Sequence, residues 1–446
     1  MHSGHYPVIS DGKPAVVVSG LGVISPIGST LRDFWSSLTS RRSGISASPE
    51  LASDEYPQVC AGVAATFTGD IRDFSEIPDA DRKLLRKSLK TMNRETQMAL
   101  AAATHALADS RWAQTALDPD RFGVCFGAGN VVMRPEDFLA GIDACRDESH
   151  SLHLERWGQL GVPEIAPLWL LTCLPNMPAC QIAILAKLRG PNNTITQGES
   201  ATNLAIAEAC RWIEDGDADA VLVGGTGNNV TPFGLMHRSA EVDIAPGGVD
   251  PSAVCRPFDR DRSGVVMAEG AAAFVLESAE SAAARGAPIY GEIVGVGSSC
   301  VISRAAIAGR KRSAAEALSA ALEAAGIPPS AVGHLHAHGL SSRLVDRDEA
   351  LAIRSVFGTS ADSLPVVAAK SYFGDSGAGS AALELAASLL ALKHGRLFPI
   401  LNCEALDPEC PIHPVVDPDA DAGTSFLNLN ISCQGQASSV LIRSAA

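Results

Sequence analysis

The sequence predicts an α/β protein made of two similar lobes. Short apolar runs alternate along the whole chain with longer segments of helical periodicity. Repeated β-α-β units of this kind form parallel sheets that are covered by helices. The run Ile289–Gly297 resembles the opening strand, Ala15–Ile24, which favours a duplicated architecture. We place the lobes at residues 1–260 and 261–446, with the join inside Asn228–Arg262, which is rich in Gly, Pro and Asp.

The individual elements follow from the same two periodicities. Ala15–Ile24 is almost wholly apolar, which predicts a strand buried on both faces, and Gly28-Ser29-Thr30 offers a cap for a helix over Leu31–Leu38. Asp81–Asp109 predicts one long helix, basic at its start and Ala-rich afterwards. Further strands are predicted at Arg121–Phe126, Asn193–Gln197, Ala220–Gly224, Val332–His338, Val366–Ala369, Phe426–Ile431 and Ser438–Ile442, and further helices at Pro178–Leu188, Ser200–Glu214, Ser313–Ala325, Asp346–Val356 and Ser376–Leu392.

The composition argues against several classes of protein. The chain has 446 residues, of which 46% are hydrophobic, so global disorder is excluded. Its formal net charge of -15 argues against a nucleic-acid or anionic-membrane binder, because such proteins present a basic face. No apolar run reaches the ~18–20 residues that span a bilayer, and Met1–Pro14 lacks the apolar core of a signal peptide. The 11 cysteines include no C-x-x-C pair, which is typical of reduced thiols in a cytoplasmic protein.

The first candidate for chemistry is Glu199, in the segment Asn192–Ser200 that leads from a strand into a helix. Such a turn presents a side chain at a helix N-terminus, where backbone N–H groups favour negative charge. Simple charge complementarity in the first turn would also explain the residue. Ser200 lacks the context of a serine nucleophile, and Cys210 lies on an apolar helix stripe, which is typical of a core residue.

The second candidate is the run His334, His336 and His338, which alternation along a strand would place on one face. No nearby cysteine or carboxylate completes a familiar zinc spacing, so a metal site is not expected. His338, at the strand end before Gly339, is the best-placed acid, base or hydrogen-bond donor.

The third candidate is the segment from Lys370 to Asp375, which follows a strand and opens a helix. A lysine with a carboxylate five residues later is most often a structural ion pair. No nucleotide or flavin fingerprint and no phosphate-binding loop occur in the sequence, so no cofactor is expected.

A series of short motifs runs in order along nearly the whole chain. They are Val18–Gly28, Asp33–Trp35, Ser43–Ile45, Leu174–Pro178, Leu188–Pro191, Ala220–Gly225, Cys255–Asp259, Gly264–Gly270, Ala337–Gly339 and Lys370-Ser371 with Gly374. They resemble the signatures of the β-ketoacyl-acyl-carrier-protein synthases. This resemblance implies a thiolase-like fold, in which two duplicated lobes with mixed sheets form a layered α-β-α-β-α arrangement.

Three departures from the pattern of that family concern its catalytic residues. Glu199 stands where the family carries its cysteine nucleophile, and Asp375 stands where a second catalytic histidine is expected. The Gly-rich gate near the C-terminus is replaced by Ser432-Cys-Gln-Gly435. A carboxylate cannot replace a thiolate that accepts and releases an acyl chain, and Asp375 would repel the enolate that forms on decarboxylation. By this resemblance, His338 and Lys370 remain from the usual machinery.

The combined losses resemble the chain-length-factor branch of the family, although that branch often carries Gln at the cysteine position. Such a subunit pairs with an active, cysteine-bearing ketosynthase in type II fatty-acid or polyketide biosynthesis. Glu199 and Asp375 would then be structural, with Asp375 paired with Lys370 or His338. Partners implied by the resemblance are the ketosynthase (a heterodimer) or a second copy (a homodimer), and an acyl carrier protein docked at Arg82–Lys90 or Arg310-Lys311-Arg312.

Three other interpretations stay open. In the first, Glu199, His338, Lys370 and Asp375 form a rebuilt catalytic site for decarboxylation, hydrolysis or acyl transfer of thioesters. In the second, the chain is a binding module that senses acyl thioesters. In the third, it is an ordinary active synthase whose nucleophile lies elsewhere, although no other cysteine between Gly190 and Gly225 follows a strand into a helix.

Overall fold

The computed structural model describes residues 12–56, 58–75, 77–112, 118–129, 134–248, 250–305 and 307–445. The strands are β1 (Val16–Ile24), β2 (Ile45–Ala47), β3 (Cys60–Gly62), β4 (Phe122–Gly127), β5 (Asn192–Ile195), β6 (Ala220–Asn228), β7 (Met267–Ser278), β8 (Gly291–Cys300), β9 (His334–His336), β10 (Pro365–Val367), β11 (His413–Pro414), β12 (Ser425–Ile431) and β13 (Gln436–Arg443). The helices are α1 (Leu31–Thr39), α2 (Asp79–Ser88), α3 (Arg94–Asp109), α4 (Glu136–Ala144), α5 (Met177–Ala186), α6 (Ala201–Glu214), α7 (Pro232–Ser239), α8 (Ala279–Ala284), α9 (Arg310–Ala325), α10 (Arg343–Phe357), α11 (Lys370–Phe373) and α12 (Ala378–His394).

The strands form a mixed sheet in the order β11-β10-β9-β12-β13-β8-β1-β7-β6-β4-β5, and the short pair β2-β3 attaches to β7. Strands β5, β4 and β6 are parallel, as are β12, β9, β10 and β11, whereas the strands between these groups are antiparallel. The opening strands of the two halves, β1 and β8, pair with each other. This arrangement confirms the predicted α/β fold with mixed sheets and two similar halves.

Helices pack in layers on the two halves of the sheet. Helices α6 and α12 pack against each other, α3 covers β1, β6 and β7, and α9 covers β8 and β13. Helix α5 packs against α3 and β4, and α10 packs against α9. Helix α12 is buried along almost its whole length because its residues are mostly Ala, Ser and Leu. Cys210 of α6 lies in the central apolar cluster, which confirms its assignment to the core. The layered arrangement predicted from the resemblance is therefore present.

One predicted helix is wrong in its extent. Instead of a single helix over Asp81–Asp109, the chain forms α2, a short 3-10 turn at Leu89–Thr91, and then α3. Asn93 starts the new helix because its side-chain oxygen accepts a hydrogen bond from the Thr96 backbone N–H at 2.8 Å.

The segment expected to join the lobes, Asn228–Arg262, contains a helix of its own, α7. Strand β7, which follows this segment, pairs with β1 and β6. The boundary between residues 260 and 261 stays a prediction. Among the described residues, no helix combines the length and the apolar composition that crossing a bilayer requires.

Candidate functional site

Glu199 lies in the turn that joins β5 to α6. A short 3-10 turn, Gly198–Ser200, makes the connection, and Gly198 adopts a φ of 53°, which favours glycine. The Glu199 side chain is buried at the N-terminal end of α6, as the sequence predicts. Burial raises the pKa of this carboxyl, the Arg238 guanidinium opposes that effect, and the neighbouring Asp375 adds to it.

Arg238, at the end of α7, binds the side chains of both Glu199 and Asp375. Its Nη1 lies 2.6 Å from Glu199 Oε1, and its Nη2 donates to Asp375 Oδ2 at 2.8 Å. Nη1 also donates to Glu241 Oε2 at 2.9 Å. Burial disfavours the charge of Arg238, but the Glu199 and Asp375 carboxylates outweigh burial and raise its pKa well above the usual value. We call these four residues the acid–arginine cluster.

Asp375 follows α11 and is held by its backbone as well as its side chain. Its N–H donates to the Val266 carbonyl at 2.8 Å, and its carbonyl accepts from the Ala268 N–H at 2.8 Å, next to the start of β7. Oδ1 accepts from the Ser380 hydroxyl at 3.1 Å. The expected pairing of Asp375 with Lys370 or His338 is wrong, because the guanidinium of Arg238 occupies its other oxygen.

Lys370 instead pairs with Glu384 of α12, and both side chains are fully buried. Its ammonium also donates to the His338 carbonyl at 2.8 Å and approaches His338 Nδ1 at 3.1 Å. The second oxygen of Glu384 accepts from the side-chain amides of Asn428 and Asn430 at 3.2 and 2.9 Å. Burial raises the pKa of Glu384 while Lys370 opposes that shift. We call Lys370, His338 and Glu384 the lysine–histidine cluster.

His338 is neutral in this setting. Burial, followed by the positive charges of Lys370 and Arg238, lowers its pKa well below the usual value. His338 Nδ1 lies 3.1 Å from the Lys370 ammonium nitrogen and 3.3 Å from Asn430 Oδ1, and Nε2 is buried without a hydrogen-bond partner among the described residues. Glu199 and Asp375 therefore meet at Arg238, and His338 and Lys370 contact each other, whereas the convergence of all four residues in one pocket stays a prediction.

The other two histidines of the predicted triplet have structural partners. His334 Nε2 and His336 Nδ1 both contact the Ser388 hydroxyl of α12, at 3.1 and 2.8 Å. The predicted strand Val332–His338 extends only over His334–His336, so His338 lies beyond its end. Within the described ranges, no group of three or more His, Cys, Asp or Glu side chains is arranged to hold a metal ion.

A cavity of about 680 Å³ opens beside the acid–arginine cluster. The residues of its wall include Glu95, Gln197, Glu199, Asn228, Asn229, Thr231, Phe233, His237, Arg238, Glu241, Ser376, Ser432, Gln434 and Gln436. The substituted gate Ser432–Gly435 forms the turn between β12 and β13, and Gln434 Nε2 donates to Glu241 Oε1 at 3.1 Å. This turn is thereby connected to Glu241, one of the three acids that bind Arg238.

The sequence did not reveal Arg238, Glu241 or Glu384. The first two lie in or directly after α7, inside a segment that we interpreted as a join because it is rich in Gly, Pro and Asp. The sequence does contain a signal for the start of α7, because Thr231 directly precedes Pro232–Ser239 and threonine is a favourable N-terminal capping residue. Glu384 is a single acid in an otherwise apolar helix, which indicates a buried partner.

Comparisons with known proteins agree with this architecture. Models of two families match consecutive parts of the chain: "Beta-ketoacyl synthase, N-terminal domain" over residues 13–282 and "Beta-ketoacyl synthase, C-terminal domain" over residues 290–404. A 3-oxoacyl-[acyl-carrier-protein] synthase 2 from Synechocystis sp. is 34% identical over 401 residues, which is 90% of each chain. The enzyme of the same name from Staphylococcus aureus (strain COL) is 31% identical over 429 residues, or 96% of this chain and 97% of the relative.

Solved structures show the same fold. The structure described as "The ishigamide ketosynthase/chain length factor" superposes with a TM-score of 0.79 at 26% identity and covers 98% of this chain and 100% of its own. A β-ketoacyl synthase from Burkholderia phymatum STM815 superposes with a TM-score of 0.82 at 24% identity, covering 97% and 100% of the two chains.

Proposed function

Because the chain belongs to the β-ketoacyl synthase family, we propose that it is a non-condensing subunit of the chain-length-factor type. It would pair with an active ketosynthase in fatty-acid or polyketide synthesis. The observation that carries this proposal is the salt bridge of Arg238 to both Glu199 and Asp375. The positions of the nucleophile and of the second histidine are joined into one buried ionic structure.

This salt bridge argues against Glu199 as an acyl acceptor. To attack a thioester, the Glu199 carboxylate must leave the Arg238 guanidinium at 2.6 Å while it remains buried. Breaking a buried ion pair costs about 3–5 kcal/mol, which alone slows such a step by about 10²–10⁴-fold. The anhydride that would result is also a poorer carrier of a growing chain than a thioester.

The same cluster removes the usual stabilisation of an enolate. Asp375 places a carboxylate where a donor is needed, and the Arg238 guanidinium that adjoins it already binds three carboxylates. A negative charge developing here would face acidic side chains instead of free donors. This chain alone therefore supplies neither a nucleophile nor the second hydrogen-bond donor that condensation requires.

Two surface features support an assembly with a second subunit. Strand β5 lies at the end of the sheet and pairs only with β4, and its residues are exposed or half-buried. Open sheet edges of this kind serve as sites for strand pairing between chains. In addition, several large apolar side chains between residues 139 and 170 are exposed: Leu139, Leu152, Leu154, Leu160, Val162, Leu168 and Leu170. Such a concentration of exposed apolar residues favours a protein interface.

The basic segment Arg82–Lys90 is the better of the two docking sites for an acidic carrier protein. Lys83, Arg86, Lys87 and Lys90 are exposed on and just after α2, and no ion pair among the described residues neutralises them. In the alternative segment, Arg310 and Arg312 are paired with Asp348 and Glu316. Unpaired surface charges contribute more to the attraction of an oppositely charged partner.

Purification of the tagged chain from its native host tests the proposal. We expect a stoichiometric ketosynthase that retains its cysteine, identified by mass spectrometry. In the reconstituted pair, Glu199→Gln should leave both the complex and the product unchanged, because Gln preserves the shape without acting as a nucleophile. The matched control, loss of the partner's cysteine, should abolish the product. Loss of all product in Glu199→Gln with the complex still assembled would contradict the proposal.

A second candidate, an enzyme with a rebuilt site for thioesters, is favoured by one observation. The buried Nε2 of His338 has no hydrogen-bond partner among the described residues, and in the tautomer that carries the proton there it is a donor able to polarise a carbonyl oxygen. A homodimer without a ketosynthase partner that turns over malonyl- or acyl-carrier protein, and that loses this turnover in His338→Ala, would support the enzyme. Absence of turnover in the isolated chain would exclude it.

A further inference from the structure

Glu95 is a buried acid that belongs to neither of the two clusters. It lies in the first turn of α3, its residue is 6% exposed, and its side chain lines the cavity that also contains Glu199 and Arg238. Its neighbour Arg94 is not its partner, since that guanidinium pairs with Glu269 at 2.6 Å. Among the described residues, no ion pair therefore explains the position of Glu95.

The hydrogen-bonding capacity of Glu95 is largely unused. In the described part of the chain, its carboxylate accepts one hydrogen bond, a long one of 3.4 Å from the Gly129 backbone N–H. Buried carboxylates normally accept several hydrogen bonds or face a cation, because burial of an unpaired charge is costly. A carboxyl group with free acceptor sites, turned into a cavity of ligand size, is instead suited to a donor on a bound molecule.

The charges around the cavity indicate the kind of donor. The charged and titratable side chains on its wall are Glu95, Glu199, Glu241, Arg238 and His237. Arg238 is already bound by three carboxylates, and its Nε is the guanidinium nitrogen without a hydrogen-bond partner among the described residues. The wall therefore carries an excess of negative charge, which attracts a cation and repels a carboxylate.

We propose that this cavity binds a chain-like ligand that carries a protonated amine, with Glu95 as the counter-ion of the ammonium group. Amide side chains on the same wall, among them Asn228, Asn229 and Gln436, supply further hydrogen-bonding groups for a polar ligand. The proposal goes beyond the non-condensing role, because it names a ligand for this chain's own cavity.

The pH dependence of binding gives the proposal a second signature. Burial raises the pKa of Glu95 to about 7, opposed only weakly by the Gly129 N–H. The carboxylate forms as the pH rises through this value, so binding of the amine should strengthen there. It should weaken again near the pKa of an alkyl amine, about 10.4 if it resembles lysine.

Calorimetric titration of the full-length protein, in the assembly in which it purifies, tests the proposal. The probes are hexylamine, hexanol and hexanoate, which share one chain and differ in charge. A charge-assisted hydrogen bond is about twice as strong as a neutral one, so we expect hexylamine to bind roughly tenfold more tightly than hexanol, with hexanoate weakest. Glu95→Gln should remove this preference, and Glu136→Gln, an exposed acid on α4, should not.

Equal binding of the amine and the alcohol, a preference for hexanoate, or a preference that survives Glu95→Gln would each overturn the proposal. If Glu95→Gln does not fold, the pH profile of the unmodified protein decides, since affinity for hexylamine that does not rise through about pH 7 contradicts the role of a carboxyl with that pKa. Co-purification of the partner ketosynthase is recorded on the same samples. If hexylamine shows no preference but the ketosynthase co-purifies, the amine proposal fails and the non-condensing role is unaffected. If hexylamine is preferred but no ketosynthase co-purifies, the non-condensing role fails and the amine site is unaffected.

Discussion

Replacement of Arg238 by methionine should destabilise the protein in a strongly pH-dependent way. The guanidinium is the shared partner of Glu199, Glu241 and Asp375. Methionine fills much of the same space but leaves these carboxylates without their cation. Removing one partner of a buried ion pair costs about 3–5 kcal/mol. The protein can lower that cost only by protonating a carboxylate.

The cost of protonation follows from ordinary pKa values. For a glutamate with an unfolded-state pKa of about 4.3, taking up a proton at about pH 7.5 costs about 4 kcal/mol, and at about pH 5.5 it costs about 1.6 kcal/mol. In the variant the folded-state pKa of Glu199 is raised far above the unfolded value. A raised carboxyl pKa makes folding less favourable as the pH rises, so stability should recover on acidification.

Urea unfolding at about pH 7.5 and about pH 5.5 measures this effect. We expect Arg238→Met to lose about 4 kcal/mol at the higher pH and about half of that or less at the lower pH. Adding Glu199→Gln should restore part of the stability at the higher pH. Arg443→Met removes an exposed pair with Glu292 and should cost no more than about 1 kcal/mol at either pH. A loss for Arg238→Met that is the same at both pH values would refute the reasoning.

Two further predictions concern other charges. Lys370→Met leaves Glu384 buried without its cation, so it should destabilise the protein by about 3–5 kcal/mol, and the added change Glu384→Gln should recover most of the loss in the same urea assay. The double variant Lys83→Glu with Lys87→Glu should weaken binding of the acyl carrier protein, most strongly at low salt, whereas Lys311→Glu should change it little. Surface plasmon resonance at two salt concentrations would show this, and the opposite ranking would move the docking site to the other basic segment.

Much of the fold could be predicted because its elements are set by local patterns. The buried strand β1 and the small-residue helix α12 are periodic and long, and both lie where the sequence predicts them. The errors occur where a single polar side chain decides the outcome. Asn93 starts α3 and so divides a segment whose helical periodicity is continuous on both sides. Strand β9 is shorter than predicted because His338 turns away to meet Lys370.

The positions of the site residues could be predicted, but their partners could not. Glu199, His338, Lys370 and Asp375 follow strands, and the ends of neighbouring strands converge. Ion pairing, in contrast, depends on which long side chains reach the same point. Arg238 and Asp375 are 137 residues apart in sequence, and no local pattern relates them. The short spacing between Lys370 and Asp375 suggested a pair that the fold does not make.

Glu199 and Asp375 are linked by electrostatics as well as by location. Either carboxylate alone could be neutralised by protonation, but two of them in one buried site repel each other, so together they need a cation that cannot lose its charge. Arginine meets this need because its guanidinium keeps its proton even when it is buried, and its fork reaches Glu199 through Nη1 and Asp375 through Nη2. Glu199, Asp375 and Arg238 therefore form one structural unit. Substitution of any one of them should change the free energy of unfolding before it changes the function of the protein.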